Sequence, residues 1–162
     1  MAFNVLFVCT ANTSLSIMSQ ALLNKLGRGQ FQAYSAGVKA MGTVNPYALE
    51  TLKQAGYDIS GLKAKSWNEF AAPMAPRLDA VVTMTDEAQK ARAPIWYSNP
   101  VIVHWSFIDP ETVSGEDSER IAAFRRCFGQ LEQQMLKLCA AKVDGLKDTA
   151  LRNRLQSIAP EA

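Results

Sequence analysis

The sequence predicts one α/β domain, a four-stranded parallel sheet with helices on both faces, and three observations carry that prediction. Strand-length apolar runs alternate with helical patterns, which is the signature of β/α units wound around a parallel sheet. The 162 residues, 48% hydrophobic and 20% charged, suffice for one substantial core. No internal repeat, low-complexity segment or linker interrupts the alternation.

The elements follow in order. Phe3–Val8 is an apolar run of strand length. Leu15–Leu26 follows as a helix with Met18, Leu22 and Leu26 on one face and Ala21 beside them. Phe31–Ala36 reads as the second strand. Over Asn45–Ala55 a helix is expected, because Asn45 offers an N-cap, Pro46 suits the first helical position and Gly56 ends it. Leu78–Met84 and Val101–Trp105 complete the four strands. The last long helix, Ser118–Cys139, presents Ile121, Phe124, Phe128, Leu131, Met135 and Leu138 as an apolar stripe for the core. The chain thus divides into an α/β domain over 1–142 and a tail over 143–162. Helical spacing of Leu146, Ala150, Leu151 and Leu155 predicts one short helix in the tail, packed on the domain.

Composition excludes several classes. A net charge of +2 without a basic run argues against non-specific nucleic-acid or membrane adhesion, while leaving a small anionic substrate compatible. The apolar start is a strand rather than the core of a signal peptide, and no stretch approaches a membrane span, so a cytoplasmic location is expected. Cys9, Cys127 and Cys139 are widely spaced and odd in number, which disfavours a disulfide framework and a zinc site. His104, the single histidine, further weakens a metal site.

The turn from the first strand into the first helix carries the chemistry. It reads Cys9-Thr10-Ala11-Asn12-Thr13-Ser14-Leu15-Ser16. Backbone N–H groups converge at a helix start, where they bind anions and favour a thiolate, so a lowered Cys9 pKa is expected. In parallel sheets the ligand crevice lies at the carboxyl ends of the strands, where Cys9 falls. With Asn12 and Ser16 at these offsets, the segment resembles the C-x5-R-S anion loop of low-molecular-weight protein tyrosine phosphatases and of arsenate reductases built on the same fold. Where that family carries its bidentate arginine, this chain has Leu15, which offers neither charge nor donor. If that arginine behaves like others that neutralise transferring phosphoryl groups, its loss costs roughly 10³ to 10⁵ in rate, about 4 to 7 kcal/mol.

The resemblance extends along the chain through Ser35-Ala36-Gly37, Lys65-Ser66-Trp67, and His104-Trp105 ahead of Asp109-Pro110. It leans to the arsenate reductase branch, because Glu111-Thr112 rather than aromatic residues follow the Asp-Pro pair. It implies that Cys9 is the nucleophile, that Asp109 is the general acid, and that Ser16 donates its hydroxyl to the thiolate. Thr10, Ala11, Asn12, Thr13, Ser14 and Leu15 would surround the anion, with Asn12 tolerating left-handed backbone. Read from local sequence, Asp109-Pro110 fits an ordinary turn equally well. His104 reads as a structural hydrogen-bonding residue and Asp86 as a helix cap near the cleft. Positions matching the relay cysteines of thioredoxin-coupled arsenate reductases hold Thr85 and Ala93, while Cys127 and Cys139 read as inert core residues.

The resemblance therefore implies no metal and no bound cofactor. It points to an external thiol, glutathione or mycothiol, with glutaredoxin as a thiol-transfer partner. The ligand would be arsenate, phosphate or a phosphorylated substrate, and no nucleic acid or membrane is expected as a partner. Two functions remain in view: an arsenate reductase-like or phosphatase-like enzyme impaired by Leu15, and an inactive pseudoenzyme that binds oxyanions or proteins.

Overall fold

The computed structural model describes residues 2–161. Its regular elements are β1 (Phe3–Cys9), α1 (Leu15–Leu26), β2 (Phe31–Gly37), α2 (Pro46–Gln54), β3 (Ala80–Thr83), α3 (Asp86–Lys90), β4 (Val101–His104), α4 (Asp117–Ala140) and α5 (Asp148–Ser157). Short 3-10 turns cover Trp67–Ala71 and Pro110–Thr112. The four strands form one sheet in the order β2-β1-β3-β4, every neighbouring pair parallel.

Side chains of β1 alternate between two apolar layers, as the two-residue repeat of a strand requires. Phe3, Val5, Phe7 and Cys9 enter the larger core, which also takes residues from α1, α2, α4 and α5. Leu6 and Val8 enter the smaller one, built with Trp67, Phe70, Ala88 and Trp96. Ala80 and Val82 against Val81 repeat the pattern on β3. Thick helices thus cover one face, while the other is closed by a 3-10 turn and the five-residue α3.

Most predicted boundaries shift by one or two residues. β1 runs on through Cys9 because its pairing with β2 continues to Cys9 opposite Gly37. β3 is shorter than Leu78–Met84, since its ladder begins at Ala80. Asn45 caps α2 as expected, its side chain accepting from Tyr47 N at 2.8 Å. The cap of α3 is Thr85 rather than Asp86: Thr85 Oγ1 accepts from Ala88 N at 3.2 Å, and Asp86 is the first helical residue.

The tail is tied into the main core. Leu151 and Leu155 of α5 are buried there, each contributing roughly 1.5 to 3 kcal/mol by leaving water. Trp105 Nε1 donates to Leu155 O at 3.1 Å, and Gln134 Nε2 donates to Ile158 O at 2.8 Å. No helix among the described residues is long and apolar enough to cross a membrane.

Candidate active site

The loop between β1 and α1 is fixed by the segment that runs from the end of β2 to the cap of α2. Val38 N donates to Cys9 O, Lys39 N to Thr10 O, Met41 N to Ala11 O and Asn45 N to Thr13 O, at 2.8 to 3.1 Å. This close approach requires Gly37. A Cβ there would stand 2.8 Å from Thr10 O and from Ala11 C, and 2.9 Å from Asn12 N, all of them backbone atoms. Asn12 takes the left-handed backbone the turn needs, at φ 58°.

A polar network runs from the loop to Cys9. Lys65 N, a donor only, faces Asn12 Oδ1 at 2.9 Å and so fixes the orientation of the Asn12 amide. Asn12 Nδ2 then donates to Ser16 Oγ at 2.8 Å, which leaves the Ser16 proton to point at Cys9 Sγ, also 2.8 Å away. Asn12 N faces the same sulfur at 3.3 Å. Two donors thus converge on the thiol.

They do not win. Cys9 is 4% exposed, and burial pushes its thiol above the ordinary range, against the lowering donors of Ser16 and Asn12; the nearby Asp109 carboxylate pushes the same way as burial. The lowered pKa expected from the sequence is therefore corrected. The helix-start field acts on a sulfur taken out of water.

Leu15 is 1% exposed and belongs to the main apolar core. Asn12, Thr13, Ser14 and Ser16 are buried as well, while Thr10 and Ala11 are partly exposed. Thr10 Oγ1 pairs with Thr85 Oγ1 at 3.0 Å, tying the loop to the cap of α3.

The carboxylates opposite come from the segment after β4. Asp109 caps the 3-10 turn, its Oδ1 accepting from Glu111 N at 2.9 Å. Burial raises the Asp109 carboxyl above the usual range, against the Glu111 N–H that favours the carboxylate and with the Glu111 charge adding a smaller upward push, so it keeps its proton longer than an exposed aspartate. Glu111 reaches the loop itself. Thr13 Oγ1 donates to Glu111 Oε2 at 2.5 Å, and Ser14 Oγ donates to the same oxygen. A cavity of about 330 Å³ lies beside this contact, lined by Ala11, Thr13, Met41, Thr43, Val44 and Glu111.

Other expected residues take supporting places. His104 Nδ1 meets Thr83 Oγ1 at 2.7 Å, and its Nε2 lies 3.8 Å from Asp86 Oδ1. Cys127 is buried on α4 and Cys139 is partly buried. Two residues near the site had no role in the sequence reading. Lys65 lies half-buried with Nζ donating to Lys63 O at 2.8 Å and approaching Ser35 Oγ and Asn12 Oδ1 at 3.4 and 3.5 Å. Burial lowers its ammonium below the ordinary lysine range. Glu111 was visible only as the non-aromatic neighbour of Asp109-Pro110, and no local pattern announces a contact across 97 residues.

The site is thus a strand ending in Cys9, a turn through left-handed Asn12, and a helix that begins after Ser14. The model for low-molecular-weight phosphotyrosine protein phosphatases matches residues 4–148. The chain belongs to this family. Among sequence relatives, an arsenate reductase of Halalkalibacterium halodurans is 35% identical over 131 residues, covering 81% of this chain and 91% of its own. An arsenate reductase of Bacillus subtilis is 30% identical with the same coverage, 81% and 91%. Among solved structures, the low-molecular-weight protein tyrosine phosphatase from T. tengcongensis matches with a TM-score of 0.69 at 26% identity, covering 86% of this chain and 99% of that one. An arsenate reductase in its oxidized state matches with a TM-score of 0.67 at 26% identity, covering 85% and 96%. The family fold, a single α/β domain with four parallel strands, is thus common to phosphatases and arsenate reductases alike.

Proposed function

We propose that this chain performs thiolate chemistry on a tetrahedral oxyanion, arsenate foremost, with Cys9 as nucleophile and Asp109 as general acid, at a rate lowered by Leu15. The observation that carries this reading is the convergence of Ser16 Oγ and Asn12 N on Cys9 Sγ at the carboxyl end of β1. The arsenate reductases among its relatives support arsenate as the substrate. Cys9 sulfur forms a bond to arsenic while one oxygen departs with the Asp109 proton as water. An external thiol, glutathione or mycothiol, then attacks the Cys9 sulfur. The sulfur–arsenic bond breaks with its electron pair left on arsenic, which becomes arsenite, and Cys9 is left as a mixed disulfide for a glutaredoxin to reduce. Thr10, Ala11, Asn12, Thr13 and Ser14 hold the anion through the loop in this reading, and Leu15 contributes only apolar wall.

A second reading, a binding module without turnover, is favoured by the burial of Leu15 and the raised Cys9 thiol. The test is arsenate reduction with glutathione and glutaredoxin, run beside hydrolysis of p-nitrophenyl phosphate. Arsenate turnover that vanishes in Cys9→Ser supports the reductase, and ester hydrolysis alone points to a phosphatase. Silence in both overturns the enzymatic reading in favour of the binding module.

A further inference from the structure

We propose that Glu111 is a built-in competing ligand of the anion loop, so that the resting site is held by the chain's own carboxylate and an oxyanion enters only when Glu111 leaves. Thr13 and Ser14 lie at the centre of the loop, both buried, and a buried hydroxyl requires a partner. Both give their protons to one oxygen of Glu111. Ser14 is also the N-cap of α1, yet its side chain caps no backbone N–H, because the hydroxyl is turned to Glu111 instead. Two hydroxyls of the loop thus already hold a carboxylate of the same chain.

Charge points the same way. No residue of the loop from Cys9 to Ser16 is charged at neutral pH by sequence, and a carboxylate faces it from the other wall. A doubly charged oxyanion beside Glu111 would meet like charge at hydrogen-bond range, so the two occupants exclude one another. Release needs little rearrangement. The Glu111 side chain is exposed, follows directly on Pro110, and borders the cavity beside the loop, which gives the displaced carboxylate room. This inference concerns occupancy of the loop and holds whether or not Cys9 turns over substrate.

The experiment compares the full-length parent with Glu111→Ala and Glu111→Gln. The rate of Cys9 alkylation by iodoacetamide is read by peptide mass spectrometry, with and without inorganic phosphate. Losing a charge-assisted hydrogen-bonded competitor should raise phosphate affinity about tenfold in Glu111→Ala, seen as protection of Cys9 at lower phosphate. Glu111→Gln keeps an acceptor without the charge, so it should lie between parent and Glu111→Ala. It also serves as the conservative variant should alanine disturb the fold, with slow alkylation of buried Cys127 as the internal sign of a native core. Equal phosphate protection in all three proteins, or none in any, overturns the proposal. A loop that opens on loss of Glu111 but never turns over arsenate or ester leaves this inference standing and removes the enzymatic one.

Discussion

Cys9 and Cys127 are equally buried, each 4% exposed, and sit in the same apolar core, yet the chain treats the two thiols differently. On α4, Cys127 has only burial and the Asp109 carboxylate acting on it, and its thiol is pushed up to about 12. At the end of β1, Cys9 meets the same two influences, but Ser16 and Asn12 oppose them. What separates the two positions here is donors aimed at the sulfur, not exposure. Those donors exist because a parallel strand ends where a helix begins, whereas the middle of a helix has every backbone N–H already engaged.

The largest effect should come from removing each sulfur in turn. Cys9→Ser is expected to lower any arsenate or ester turnover by at least about a thousandfold, since an alcohol without an adjacent base is a far poorer nucleophile. Cys127→Ala should leave kcat/KM within about twofold and cost about 1 to 2 kcal/mol of stability through the small cavity it opens. Parallel kinetics and urea unfolding check both. Comparable losses of turnover in the two variants would erase the distinction.

Alkaline pH sharpens the same comparison. An unfolded thiol ionises near pH 8.5, whereas folded Cys127 holds its proton to about 12. The folded state therefore binds this proton more tightly, so the stability it confers is complete below pH 8.5 and declines as pH rises towards 12. The loss is about 1.4 kcal/mol for each pH unit within that window. Urea unfolding at pH 8 and pH 10 should show a smaller decline in Cys127→Ala than in the parent. Other groups titrate there too, and the difference between the two proteins cancels them.

Much of the frame was legible because it rests on local pattern. The β1–α1 boundary, the Asn45-Pro46 start of α2 and the stripe on α4 each follow from spacing and capping within a few residues. The proximity of Asn12 and Ser16 to Cys9 was legible from the resemblance of the loop to a known motif, since all three lie within eight residues. The start of the short α3 was misplaced by one residue, Asp86 for Thr85, since five residues carry no periodicity to fix it, and the smaller core that Trp67 and Trp96 build from loops was missed. The sign of the Cys9 shift failed because sequence shows the donors but not the burial that outweighs them. Glu111 and Lys65 reach the loop across long stretches of chain, through contacts that only the folded topology creates.

Leu15→Arg tests whether a cation at this position lets the loop hold an anion. In a loop otherwise preorganised for an anion, it should raise oxyanion affinity and any turnover by at least about tenfold. Leu15 lies in the apolar core, so an arginine there without an anion partner would cost several kcal/mol. Melting with and without saturating phosphate separates the outcomes. A phosphate-dependent rise larger than the parent's means the arginine finds its ligand, and a lowered melting temperature in both conditions means the position now belongs to the core.

Ser16→Ala is the finest cut, because it removes one of the two donors that distinguish Cys9 from Cys127 and leaves burial untouched. The hydroxyl stands 2.8 Å from the sulfur and 2.8 Å from Asn12 Nδ2, so its loss also leaves that amide without its acceptor. Losing a hydrogen bond that favours the thiolate pushes the Cys9 thiol further above its ordinary range. The direction follows from the sign of the interaction. Ser16 favours the thiolate, so without it the thiol keeps its proton to higher pH, and Cys9 alkylation at pH 8 should slow about three- to tenfold. Cys127 should alkylate as before, since Ser16 does not act on it, and Ser16→Thr should restore Cys9 by returning the hydroxyl. An unchanged Cys9 pH profile in Ser16→Ala would mean that the donors are ornamental and that the two cysteines differ only in address.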